Sequence, residues 1–101
     1  MALVEVSIIP LGTGTTSVSK YVAKAVEVLK GEEDIRYELT AMGTVLEGDL
    51  DRLLTLVRRM HEALFDIGVM RVVTTMKIDD RRDKPSAMTS KIESLRRALG
   101  D

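Results

Sequence analysis

The sequence contains no cysteine, which excludes disulfides, thiol nucleophiles and thiolate metal sites. Tryptophan is absent as well, and the only aromatic residues are Tyr21, Tyr37 and Phe65, too few for the stacking surface that holds single-stranded nucleic acid. Neither sign of charge prevails: 15 basic residues against 16 acidic ones leave a net charge of −1. That balance lacks the electrostatic footprint of a nucleic-acid binder. No apolar run approaches the roughly 18 residues of a membrane span, and no basic segment followed by an apolar core opens the chain. The expectation is a soluble, cytoplasmic protein with no nucleic-acid and no membrane partner. Asn and Gln are also missing, while charged residues reach 31%. Loss of thermolabile amides with enrichment in charge is the compositional lean of hyperthermophile proteins.

What is present suits one domain spanning residues 1–101, with 45% hydrophobic residues, enough for a modest core without staples. Leu3 to Ile9 alternates and is rich in β-branched residues, as a half-buried strand does. After a glycine-bearing loop, Val18, Tyr21, Val22, Ala25, Val26 and Leu29 recur at helical spacing, and Gly31 supplies a stop. Ile35 to Thr40 alternates again, Met42-Gly43 offers a tight turn, and Thr44 to Glu47 reads as a short partner strand. Asp49 is placed to cap a long helix whose apolar stripe is Leu50, Leu53, Leu54, Val57, Met60, Leu64 and Ile67, ended by Gly68. Arg71 to Asp79 is a fourth strand. A charged turn, Asp80 to Lys84, leads past Pro85 to a last helix with Met88, Ile92, Leu95 and Leu99 expected inward. The order βαββαβ plus a C-terminal helix indicates the α+β class: a ferredoxin-like sandwich with an antiparallel four-stranded sheet and helices on one face.

The strand faces carry an expectation about assembly. Val4, Val6 and Ile8 suit the helix-covered side, which leaves Leu3, Glu5, Ser7 and Ile9 on the other. Strand four divides likewise into Val72, Thr74, Met76 and Ile78 against Arg71, Val73, Thr75, Lys77 and Asp79. Leu3, Ile9 and Val73 would then be exposed together, which favours a covering copy of the same chain.

Three places could carry chemistry. The loop Pro10 to Ser17 holds two glycines and four hydroxyls ahead of a helix, where free backbone N–H groups can receive an anion or polar group. Gly14, Thr16 and Ser17 are its candidate anion-binding residues. A plain turn, with strain-relieving glycines and Ser17 as helix cap, fits the same residues. Lys77, Arg81 and Arg82 form a second candidate anion site, against a merely salt-bridged, solvated turn. Asp79, Asp80 and Asp83 are interleaved with cations, so no metal site is expected there. The hairpin Thr40-Ala41-Met42-Gly43-Thr44 with Glu47 offers hydroxyls, a close backbone approach and a carboxylate for a small polar heterocycle. A turn that needs Gly43 only for its backbone conformation is the alternative. His61 flanks the stripe of the long helix as a packing or interface histidine, because no nucleophile turn accompanies it. No catalytic residue and no cofactor are expected.

Taken together, three stretches resemble the small thiamine-binding-protein family, the single-domain relatives of the YkoF thiamine- and hydroxymethylpyrimidine-binding protein. They are Pro10 to Gly14 with Ser17 to Val22, Tyr37 to Thr44 with Glu47-Gly48, and Arg71 to Lys84. The resemblance implies a ferredoxin-like fold, association through the sheets into dimers and often tetramers, and binding of a small molecule without an established reaction. It implies ligand contacts at Ser17, Thr40, Met42, Gly43, Thr44 and Glu47. The resulting expectation is a non-enzymatic binding protein for thiamine or a related pyrimidine, assembled as a homo-oligomer, with a tetramer first. A regulatory or scaffolding homo-oligomer without a thiamine ligand is the alternative, and an enzyme is a third class that the fold alone does not exclude.

Overall fold

In the computed structural model, residues 1–15, 17–83 and 88–100 are described, residues 88–90 by their backbone alone. Thr16, Lys84 and Pro85 lie outside the described residues. The elements are β1 (Ala2–Leu11), α1 (Ser19–Glu27), β2 (Arg36–Thr40), β3 (Gly43–Gly48), α2 (Leu50–Asp66), β4 (Arg71–Asp80) and α3 (Met88–Leu99). The strands form one antiparallel sheet in the order β2-β3-β1-β4. With α1 and α2 packed on each other and on one face of it, this is the ferredoxin-like arrangement with an added C-terminal helix.

Alternation along β1 decides which face is buried. Val4, Val6 and Ile8 point into the core and meet Leu46, Leu53, Leu56, Met60 and Leu64 from β3 and α2, with Ala25 from α1 and Leu29 just beyond its end. Burying such side chains supplies about 1.5–3 kcal/mol each relative to exposure. The long helix starts where the sequence places it: Asp49 is its N-cap and accepts a hydrogen bond from the Arg52 N–H at 3.3 Å. Its buried face is shifted from the expected stripe: Leu56 and Ala63 are buried, whereas Leu50 and Leu54 are only half-buried and Ile67 is exposed. Arg52 also ties the α1–β2 connection to α2, donating through Nε to Asp34 at 2.8 Å and pairing with Glu32. Arg59 adds a further ion pair to Glu32 at 3.6 Å.

Three expectations are corrected. Ser17 does not cap α1: the N-cap is Val18, which makes no side-chain cap bond. The Ser17 N–H donates to Thr15 Oγ1 at 3.1 Å, a bond within the loop that precedes the helix. Leu3 is not part of an exposed apolar patch, being only 8% exposed in the single chain, whereas Ile9 at 47% and Val73 at 42% remain open. And α3 does not turn its apolar stripe inward, since Ile92, Leu95 and Leu99 are all exposed. Helical periodicity records that a helix has two faces, not that the same chain covers one of them.

Candidate ligand-binding site

The two flanks of β1 differ in length of pairing. Against β4 the register runs from Ala2↔Asp80 to Leu11↔Arg71, the whole strand. Against β3 it runs only from Ala2↔Gly48 to Val6↔Thr44, because the chain turns back at the β2–β3 hairpin. The space that a longer β3 would have filled is a cleft of about 310 Å³ between β1, α1 and the hairpin. Its walls are Val6 and Ile8 of β1, Val22 and Val26 of α1, Met60 of α2 and the hairpin residues Leu39 to Thr44.

The hairpin tip is held by its own hydroxyl. Thr40 Oγ1 donates to the Gly43 carbonyl at 2.8 Å and accepts from the Met42 N–H at 3.3 Å. Gly43 has φ 156°, and a Cβ there would lie 2.5 Å from the Val6 carbonyl oxygen. Its glycine is therefore required by contact with the neighbouring strand rather than by turn geometry alone. Thr44 is buried and lines the cleft, while Met42 stands exposed at its rim.

Of the sequence-predicted ligand residues, the structure brings Thr40, Met42, Gly43 and Thr44 together at this cleft. Glu47 and Ser17 are not among its lining residues. Glu47 follows Thr44 by three positions in an extended strand, so it faces the opposite side of the sheet. There it stands across from Leu3 and Arg36 in the register. It is only 4% exposed, and its Oε2 has no hydrogen-bond partner among the described residues.

The two candidate anion sites lie at opposite ends of β1, as its pairing with β4 requires. Gly12 and Gly14 adopt φ of 75° and 77°, a left-handed conformation that suits glycine. Two of the loop's hydroxyls are engaged locally, Thr13 Oγ1 donating to the Thr15 carbonyl at 3.1 Å and Thr15 Oγ1 accepting from the Ser17 N–H. At the other end Arg81 is paired with Asp83 at 2.7 Å and Arg82 with Asp80 at 2.9 Å. The Arg82 guanidinium, hydrogen-bonded to Asp80, holds that carboxyl below the usual carboxylate range, and Asp80 in turn raises Arg82. Lys77 stands opposite Glu5 on the open sheet face. His61 behaves as a packing residue: its Nδ1 lies 2.6 Å from Thr74 Oγ1, and its ring meets Phe65 edge-on at 5.3 Å between centroids. Among the described residues no cluster of His, Asp and Glu could hold a metal ion, and no helix is long and apolar enough to cross a membrane.

A family model described as thiamine-binding protein matches residues 4–96. The chain belongs to the thiamine-binding-protein family. It is 48% identical over 102 residues to YqgV of Bacillus subtilis, covering 98% of each chain. It is 49% identical over 100 residues to a protein of Methanothermobacter thermautotrophicus, covering 98% of this chain and all 100% of that one. Among solved structures, a hypothetical protein of Methanocaldococcus jannaschii superposes with a TM-score of 0.85 at 49% identity, over 93% of this chain and 94% of the other. A Thermotoga maritima protein provisionally assigned to thiamine biosynthesis or salvage has a TM-score of 0.78 at 17% identity, over 93% of this chain and 97% of that one. At that distance the likeness establishes the shared fold. The thiamine-binding-protein family thus has here a member whose hairpin residues gather at one cleft and whose Glu47 lies elsewhere. The walls contributed by Val22, Val26 and Met60 were missed in the sequence, where they read as ordinary core positions. One signal was available: the strand pattern from Leu3 to Ile9 is longer than that from Thr44 to Glu47.

Proposed function

We propose that the protein is a non-enzymatic binding protein for thiamine or its hydroxymethylpyrimidine moiety, which enters the cleft between α1 and the β2–β3 hairpin. The observation that carries this reading is the cleft of about 310 Å³, a volume at the lower end of the ~300–1,000 Å³ usual for small-molecule sites. Its apolar walls with a few hydroxyls are the lining that such sites have, and family membership supplies the ligand class. Thr44 orients the polar edge of the ligand from within, and Met42 closes over a ring face from the rim. The protein works as a homo-oligomer in the cytoplasm, a tetramer first. Ile9 and Val73, opposite one another in the β1–β4 register and exposed on the open sheet face, support self-association there.

The test is calorimetric titration of the purified protein with thiamine and with hydroxymethylpyrimidine, together with the Thr44→Val variant. Saturable heat with at least one ligand is expected, with a loss of about 0.5–1.5 kcal/mol in the variant, the net worth of one hydrogen bond. Absence of heat with both at millimolar concentration would refute the ligand assignment. The second reading, a scaffolding oligomer with no thiamine ligand, draws on the exposed stripe Ile92, Leu95 and Leu99 of α3. Native mass spectrometry separates the two by reporting subunit number and retained small molecule together.

A further inference from the structure

The two edges of the sheet are finished differently. On one side β2 has only five residues, and a short edge gives an incoming strand little to pair with. On the other, β4 runs for ten residues without proline or glycine. It stands last in the strand order, so no described strand covers its outer side. Main-chain groups alternate sides along a strand with a period of two. A Cβ on Gly43 would lie 2.5 Å from the Val6 carbonyl oxygen, so the even-numbered residues of β1 turn their peptide groups to β3 and the odd-numbered ones to β4. Glu5 then bonds with Lys77 and Ser7 with Thr75 in the β1–β4 register. The N–H and C=O groups of Val72, Thr74, Met76 and Ile78 face outward, away from that ladder. Met76 at 38% and Ile78 at 46% exposure add an apolar surface along the same edge.

A long uncovered edge of this kind is a template for another strand, and the charges of β4 select which one. Antiparallel pairing of β4 with its own copy must match outward-facing residues, so the possible registers differ by steps of two. Centred on Thr75, the register sets Arg71 against Asp79 of the second copy, and the reverse, at both ends. Between them Val72 meets Ile78, Val73 meets Lys77 and Thr74 meets Met76. Centred on Thr74, Arg71 would meet Lys77; centred on Met76, it would meet Arg81. Opposite charges across a ladder stabilise it and like charges destabilise it, so the register centred on Thr75 is favoured over both neighbours. Lys91 of α3 pairs with Asp79 through Oδ2, and a carboxylate has a second oxygen to accept from a guanidinium. We propose that β4 is a docking edge for β4 of a second copy of this chain, the two joined antiparallel about a two-fold axis at Thr75 into one continuous sheet. Because the contact is isologous, each edge satisfies the other and assembly closes instead of growing into a fibre. It lies at the rim of the sheet, apart from the face that carries Ile9 and Val73, and needs no ligand.

The absence of cysteine makes the register directly readable by cross-linking of the full chain. In the non-hydrogen-bonded pair on the axis, Thr75 faces its own copy at a Cα separation of about 4.5 Å, inside the ~4.4–6.8 Å range of a disulfide. Thr75→Cys is expected to give a covalent dimer under mild oxidation. Val73→Cys, whose copy lies about 13 Å further along the strand, is expected to stay unlinked. Arg71→Asp and Asp79→Arg should each weaken the dimer about tenfold, read by native mass spectrometry over a dilution series, and an equimolar mixture of the two should recover it as a heterodimer. Met76→Pro deletes an outward N–H that the β1 ladder does not use, and should abolish the pairing with the circular dichroism spectrum unchanged. An unlinked Thr75→Cys chain, equal cross-linking of Val73→Cys, or an assembly indifferent to Met76→Pro and to both charge reversals would overturn the edge contact. Assembly that persists in that case runs through the open sheet face, and the proposed ligand binding stands either way.

Discussion

Replacing Gly43 with alanine probes the contact that fixes the hairpin against β1. The added Cβ would lie 2.5 Å from the Val6 carbonyl oxygen, 3.3 Å from its carbon and 3.7 Å from the Ser7 Cα. All three are backbone atoms and cannot rotate aside. Carbon and oxygen approach comfortably at about 3.3–3.6 Å, so β1 and β3 must part by roughly 0.8 Å at this point, or the hairpin tip must swing outward. Both moves disturb the Val6↔Thr44 pair, the last of the β1–β3 ladder. Overpacking against an unyielding neighbour costs about 1–3 kcal/mol. With a urea m-value of about 1–3 kcal/mol/M for a domain of this size, the midpoint should fall by about 1 M. The measurement is urea unfolding followed by circular dichroism, at one fixed protein concentration because assembly would add its own stabilisation. Ligand affinity should fall in the same variant, since the displaced strand carries Thr44. An unchanged midpoint would show that the hairpin yields freely and that the cleft is not framed by this contact.

Asp49→Ala removes the cap of α2 and should lower the unfolding free energy by about 0.5–2 kcal/mol, read from thermal melts. Glu47→Met keeps the bulk of a buried side chain whose Oε2 has no partner among the described residues, and should raise stability by about 1–3 kcal/mol. A loss instead would show that a donor reaches that oxygen in the assembled protein. Because Arg82 lowers the Asp80 carboxyl in the folded state, that group's contribution is complete above the unfolded carboxylate range and disappears as pH falls through the lowered folded value. Asp80→Asn should therefore destabilise at neutral pH and match the parent in strong acid, as denaturant titrations at the two pH values will report. The thermal midpoint of the parent should exceed the mesophile cluster of roughly 45–65 °C, given the absence of Asn, Gln and Cys; a calorimetric scan within that range would refute the compositional argument.

The elements that could be read in the sequence are those fixed by local chemistry. Val4, Val6 and Ile8 announce a strand with one buried face, Asp49 announces the start of α2, and the hairpin glycine marks the turn. The βαββαβ order then follows, because few arrangements bury those faces together. Long-range relations were hidden. The outward stripe of α3 has the same periodicity as a core helix, and nothing local distinguishes the two. Glu47 looked like a neighbour of Thr44, but in a strand of six residues three steps reverse the face. The cleft arises where one strand outlasts its partner, a property that neither strand possesses alone. Its hydroxyl residues could be named in advance, while the walls that Val22, Val26 and Met60 give it could not.

The reach of the β2–β3 hairpin along β1 acts as a ruler for the size of the molecule that the fold can house. Two more residues on each arm would carry the pairing from Val6 to Ile8, advancing the tip by about 7 Å and closing the opening. Two fewer would lengthen it by the same amount. Such insertions and deletions fall at a surface turn, where added length costs little loop entropy, and leave the packed Val4, Leu46, Leu53 and Leu64 untouched. Capacity for ligand can therefore drift by small changes of length at one tip while the core sequence stays put, so relatives with nearly the same interior can differ in what they hold.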